Sequence, residues 1–409
     1  MALNDITIRK RNGLNRPPAS EDNICGLVLG GVTIVDGAAL NTAYPLYGIE
    51  DAEDLGITEL YDETIDALVW HHINEFYLRA PGQKLWIMLV AQGTTLEEIC
   101  DKDSDYGIAK LHNESGGEIK RYGVVLNPFE TYEPLLDNGI SADVFEAVTK
   151  GQAWLNEVYD QHVPCRIFIE GRDLDIDAVA SLTSLKTLNA EGCSIVLAQD
   201  YEVAQRSVLQ NGYAAIGALL GMKASKPTVA DSFAEVGIEY EGNLQVNGSF
   251  TKFGMGNTEL KNISLAKQNA LYDKAYIALR TWANSPGCYF TQSFTCALET
   301  SDFIFDELDD VHNKAHRQIY AAYVPHMNKK VKLNKQGYLP AEVVADLEGI
   351  GNAVFTRMEG ADEISSGKTY IDPKQDIVTS RKLKVFWKMV PVGKLEAIEG
   401  DLSFTLNLA

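Results

Sequence analysis

The stretch "ICGLVLGGVTIV" (residues 24–35) is the first long apolar run of the chain, and the fold turns on how it is read. It is continuous, not alternating, which is the pattern of a strand covered on both faces. Outward from it, "TELYDETIDALVWHHINEFYLRA" carries helical spacing and "KLWIMLVA" is a second run of the same kind. The succession goes on through "YGVVLNP", a helix over "SADVFEAVTKGQAWLNEVYDQH", "CRIFIEG", a helix near "DAVASLTSLKTL", and "CSIVLAQ". Strand alternating with helix predicts an α/β domain built on a mainly parallel sheet. The next segment, "EVAQRSVLQNGYAAIGALLGMKASKP", reads as a helix of small residues in which Gly212, Gly217 and Gly221 permit close packing.

A polar, glycine-rich stretch, "GIEYEGNLQVNGSFTKFGMGNTELKN", marks a domain boundary, and the texture beyond it is α+β. A strand pair around "KAYIALRTWANSPGCYFTQSFTCA" is followed by helices over "SDFIFDELDDVHNKAHRQIYAAYVPHM" and "PAEVVADLEGIGNAVFTRMEG", then by the strand "KLKVFWKMVPVG". The closing stretch "GDLSFTLNLA" alternates strictly, with Leu402, Phe404, Leu406 and Leu408 on one side and Ser403, Thr405 and Asn407 on the other. At the opposite end Ile6 and Ile8 alternate with Asp5, Thr7 and Arg9, and a polar linker with two prolines follows. The expected organisation is therefore an N-terminal arm and linker (1–21), an α/β domain (22–265), an α+β domain (266–395) and a C-terminal arm strand (396–409). Strands at both termini need partners, and strand donation to a second copy supplies them.

With 409 residues, 45% apolar and 23% charged, the chain is long enough for two domains with sizeable cores. Its net charge of −21 argues against nucleic-acid binding. The N-terminus lacks the apolar core of a signal peptide, and residues 24–35 are too short and glycine-rich to span a bilayer, so the expectation is a cytoplasmic protein without membrane insertion. Six scattered cysteines without a C-x-x-C fit reduced, buried thiols. Charge is uneven: residues 311–394 hold 14 Lys/Arg against 8 Asp/Glu, leaving −27 for the rest. Such a segment is either a mixed solvated surface or a patch facing an acidic partner.

No phosphate loop, dinucleotide fingerprint, nucleophile elbow or H-E-x-x-H occurs. His71 and His72 are adjacent on a helix and diverge by about 100°, so they do not chelate one metal as an i, i+4 pair does. Asp173, Asp175 and Asp177 lack the glycine and the twelfth-position glutamate of a calcium loop. Cys288 and Cys296 have no histidine partner nearby in sequence. The expectation is a chain with no catalytic residues, no metal and no cofactor.

The opening "MALNDITI" with "RPPASEDNICGLVLGG", the segments "GYAAIGALLGMKASKP" and "DKAYIALRTWANSPGCYFTQSFTCA", and the close "YIDPKQDIVTSRKLKVFWKMVPVGKLEAIEGDLSFTL" carry, in that order, a resemblance. The chain resembles the contractile tail sheath family of phage tails, tailocins and contractile injection systems, in its Bacteroidetes-phage branch. The resemblance implies an outer α/β domain (22–265), an inner α+β domain (266–395) and six-membered rings stacked helically around an inner tail tube, with baseplate and tail-terminator proteins as further partners. It implies assembly in the bacterial host cytoplasm into a virion tail or contractile particle, and contraction that drives the tube through a target envelope. Carried onto this sequence, the arm strands hold Leu3, Ile6, Ile8, Leu402, Phe404, Leu406 and Leu408, and the receiving sheet holds Val385, Trp387 and Met389. The basic residues facing the tube are Lys314, Arg317, Lys329 and Lys330, although this chain reads "DELDDVHNKAHR" where the family carries more arginine. Two other readings remain open from residues alone: another filament or capsid-like subunit, and a soluble α/β enzyme.

Overall fold

All seven residues of Cys25–Gly31 (β1) are buried, as a run with no polar side chain to hydrate requires. The structure, a computed structural model, describes residues 21–245 and 249–404. In it β1 lies inside a six-stranded sheet with β2 (Ala43–Leu46), β3 (Leu85–Ala91), β4 (Arg121–Val125), β5 (Arg166–Glu170) and β6 (Cys193–Val196), ordered β2-β3-β1-β4-β5-β6. Cys25 stands opposite Leu85 on one side and Arg121 on the other, and every pairing is parallel except β2 on β3. The mostly parallel sheet expected from sequence is present, with one antiparallel edge strand added.

The helix expected over residues 58–80 is two, α1 (Glu59–Ile65) and α2 (Val69–Arg79), because Asp66 turns left-handed at φ 47°. Asp62 in α1 then starts α2: its Oδ1 accepts from the amides of Val69 and Trp70 at 2.9 Å, and its Oδ2 from His71 at 2.9 Å. A long helix, α3 (Ala142–Asp160), follows in the βαβ succession. Only Ile216–Ala224 (α4) remains of the small-residue helix read over residues 202–227 as its main helical part, the rest being short turns and Tyr201–Ala204. Here Gly217 and Gly221 bring α4 onto α2 backbone to backbone, since a Cβ at either would run into the carbonyl of His72 or Phe76. Gly217 also donates its amide to His72 Nδ1 at 3.2 Å.

The helix expected near residues 177–188 is not formed; turns and a short 3-10 segment, Leu185–Thr187, stand there. The carbonyls of Val179, Ala180 and Leu182, which a helix would keep, accept from Lys274 Nζ at 2.9, 2.8 and 2.6 Å.

Two compact units divide the described chain: residues up to Pro227 with Asp231–Asp309, and Thr228–Ala230 with residues from Asp310. Residues 266–309, expected to open the inner domain, thus pack within the first unit. They do so by extending its sheet, where Ile277 donates to Ile195 O at 3.0 Å and accepts from Leu197 at 2.8 Å. The first unit also buries an ionic knot in which Arg166 Nε lies 2.9 Å from Asp306 Oδ1 and Lys223 Nζ 2.6 Å from Asp306 Oδ2.

The second unit contains most of α5 (Asp306–Tyr323), then α6 (Ala341–Gly360), β7 (Ile364–Tyr370) and β8 (Phe386–Pro391). Its small core is Val229, Val311, Ala315, Val354, Phe355, Met358 and Ile364, with Ala315 four residues after Val311 and Met358 four and three after Val354 and Phe355, as one helix face requires. Strand β7 was not anticipated, for reasons visible in its packing. Phe355 sits over Gly367, and Thr369 lies against Gly351 of α6, so its inner face is small and polar where an apolar alternation would announce a strand.

Candidate functional site

In an open α/β sheet, ligands gather beyond the carboxyl ends of the strands where the strand order reverses. That point here lies at β1, between β3 and β4. It is filled by the chain itself. Asn127 Nδ2 donates to Gly30 O at 2.8 Å while its Oδ1 accepts from Leu68 N at 3.1 Å, and Gln92 Nε2 donates to the carbonyls of Ile65 and Pro128 at 2.9 Å. Beside it is an open depression of about 520 Å³ with Asp66 and Glu130 on its wall.

His71 and His72 are buried in α2, and burial pushes the His71 imidazole down to about 3. All six cysteines are buried, and burial pushes the Cys193 and Cys288 thiols up to about 12, far from thiolate chemistry. Among the described residues no three His, Cys, Asp or Glu side chains converge to hold a metal, and no helix is long and apolar enough to cross a membrane.

The feature that stands out is in the second unit, where β7 and β8 pair antiparallel with Lys368 opposite Lys388 and Thr369 opposite Trp387. A two-stranded sheet has two edges, each a row of unpaired amides and carbonyls. The edge of β7 is closed by α6: Gly367 N donates to Glu359 Oε1 at 2.7 Å, Thr369 N to Asn352 Oδ1 at 2.8 Å, and Ile371 N to Glu348 Oε1 at 2.8 Å. Those three amides therefore point away from β8. Antiparallel alternation then turns the amides of their partners, Met389 opposite Gly367 and Trp387 opposite Thr369, away from β7 as well. Among the described residues the outer edge of β8 is the one left open.

The two faces of this sheet differ. On the inner face Met389 packs on the core, and Trp387 meets Tyr323 edge to face at 5.6 Å between ring centroids. Tyr323 is held by its hydroxyl donating to Leu347 O at 2.8 Å, and burial pushes its phenol up. The outer face carries exposed Lys368 and Lys388 directly opposed, beside exposed Tyr370 and Phe386.

Of the residues expected in the receiving sheet, Trp387 and Met389 lie in β8, and Val385 immediately precedes it on the same side of the alternation. Leu402 and Phe404 lie in an irregular segment and are fully exposed, as nearly are Leu395 and Ile398 at 88%. Leu3, Ile6, Ile8, Leu406 and Leu408 lie outside the described residues. The four basic candidates separate. Lys314 is turned inward, its Nζ 2.6 Å from Oε1 of the buried Glu363. Arg317 is half-buried, whereas Lys329 and Lys330 stand exposed on the loop after α5 with Lys332 and Lys335. The capping trio Glu348, Asn352 and Glu359 was not foreseen, since nothing marks it before β7 itself is known.

Solved structures share this fold. A sheath protein of the anti-feeding prophage helical sheath in its contracted state superposes with a TM-score of 0.61 at 12% identity, over 100% of both chains. The sheath complex of the extracellular contractile injection system PVC, also contracted, gives 0.58 at 10% identity, covering 100% of this chain and 98% of that one. The sheath tail protein of Listeria innocua gives 0.50 at 10% identity over 92% and 96%. No curated protein matches the sequence. The family described as "DUF2586, N-terminal domain" matches residues 3–294 and "DUF2586, C-terminal domain" matches residues 302–409, so the chain belongs to the DUF2586 family.

Proposed function

We propose that the chain is a structural, non-enzymatic subunit of a contractile sheath, forming six-membered rings stacked helically around an inner tube. The observation that carries this is the open edge of β8, together with a patterned, exposed C-terminal segment, in a chain with the fold of sheath proteins. An edge strand left open is a template for pairing. Strand donation satisfies it: the C-terminal residues of one copy, Leu402 and Phe404 among them, add beside β8 of the next, and the N-terminal residues Leu3, Ile6 and Ile8 take part in the same mesh. A head-to-tail contact of this kind builds rings and helices instead of closed dimers.

The inner tube is the partner of the basic loop. Lys329 and Lys330, with Lys332 and Lys335, are exposed and free to meet an acidic surface, while Lys314 serves the interior of its own unit. Baseplate and terminator proteins would meet the ends of the stack. The site of action is then a virion tail or related particle, put together in the cytoplasm of a bacterial host.

Negative-stain electron microscopy of the purified chain at high concentration, alone and with the tube protein, tests the reading. Hollow tubes or sixfold rings are expected, and they should vanish on deletion of residues 400–409 while the soluble monomer stays folded. Uniform small particles under both conditions would contradict it.

A further inference from the structure

The outer face of the β7–β8 sheet carries a pairing that the isolated unit does not explain. Lys368 and Lys388 are directly opposite each other, an arrangement of like charges that costs stability in a sheet. Neither ammonium has an acidic partner among the described residues, and both side chains are exposed. Exposed Tyr370 and Phe386, also opposed, flank the pair on the same face.

A strand added along the open edge of β8 would continue both faces, because side chains alternate with period two. From Ile398 to Phe404 the C-terminal segment sorts by that rule. Ile398, Leu402 and Phe404 share one side, and Glu399, Asp401 and Ser403 the other. Setting the apolar set against the inner face of Trp387 and Met389 leaves Glu399 and Asp401 on the face of Lys388 and Lys368. A shift by one residue would put two carboxylates over the aromatic inner face and the three apolar groups on the face of the lysines.

We propose that Lys368 and Lys388 are a carboxylate receptor for Glu399 and Asp401 of a second copy, and that these ion pairs set the register of the donated strand. The inference rests on the strand-donation reading and adds to it a charge code. Its consequences are that the register is chosen electrostatically and that assembly is salt-dependent, since ion pairs at an exposed face are screened within about 8 Å at physiological ionic strength.

Sedimentation velocity of the full chain at about 0.05 M and about 0.5 M salt tests it, the two conditions bracketing weak and strong screening. The variants are K368E/K388E, E399K/D401K, and the four combined. At low salt each reversal alone should reduce the assembled fraction by about tenfold or more, like charges being costly when apposed. The combined exchange should restore it. Rescue also separates a lost contact from a misfolded variant. Reversals that leave assembly unchanged, or an exchange that fails to rescue, would overturn the receptor while leaving strand donation standing. Loss with K368E/K388E but not with E399K/D401K would overturn it in favour of another occupant, such as the N-terminal residues. A wild-type chain that stays monomeric throughout, with the tube protein present as well as alone, would overturn the strand-donation reading and this inference with it.

Discussion

Lys314 shows how far a residue's role depends on what it meets. In sequence it belongs to a basic stretch and reads as a surface cation; in the structure its Nζ is 2.6 Å from Glu363, with side chains 13% and 4% exposed. Removing one partner of a buried ion pair takes away charge compensation in the interior, and the cost exceeds that of a typical surface contact. Lys314→Ala should therefore lower the unfolding free energy by about 3 kcal/mol in urea titration. A loss near zero would mean that the remaining surroundings of Glu363 hold its charge without Lys314. The sign of the local charge was legible from composition, whereas its direction was not, because burial of Glu363 depends on β7, which the sequence does not advertise.

At the scale of elements, legibility followed how each element is held. β1 and its neighbours could be read directly because apolar continuity is what a strand covered on both faces needs. β7 could not, because its inner face is fitted to α6 by Gly367 and Thr369. Nor could the non-helix near residue 180, whose carbonyls are claimed by Lys274, a residue distant in sequence. The glycines of α4 were legible as packing residues, and their mechanism predicts opposite signs at two sites. Gly217→Ala should destabilise by about 2 kcal/mol, because the added methyl meets the α2 backbone. Gly349→Ala, on α6 with open space around it, should stabilise by about 0.5–1 kcal/mol through helix propensity. Thermal unfolding of both variants checks the pair, and equal signs would contradict the packing account.

For the whole molecule, the alternation at the C-terminus was plain in the sequence, but which edge it could pair with was not. That depended on three side chains of α6, Glu348, Asn352 and Glu359, which close β7 and leave β8 open. The central claim, that the outer edge of β8 receives a strand from another copy, is tested most directly by sedimentation velocity of Met389→Pro beside the wild type. The Met389 amide points away from β7, so proline removes a donor from the open edge without breaking the β7–β8 ladder. The account predicts a folded monomer, with the circular dichroism of the wild type, that no longer assembles. A Met389→Pro chain that assembles as the wild type does would contradict it.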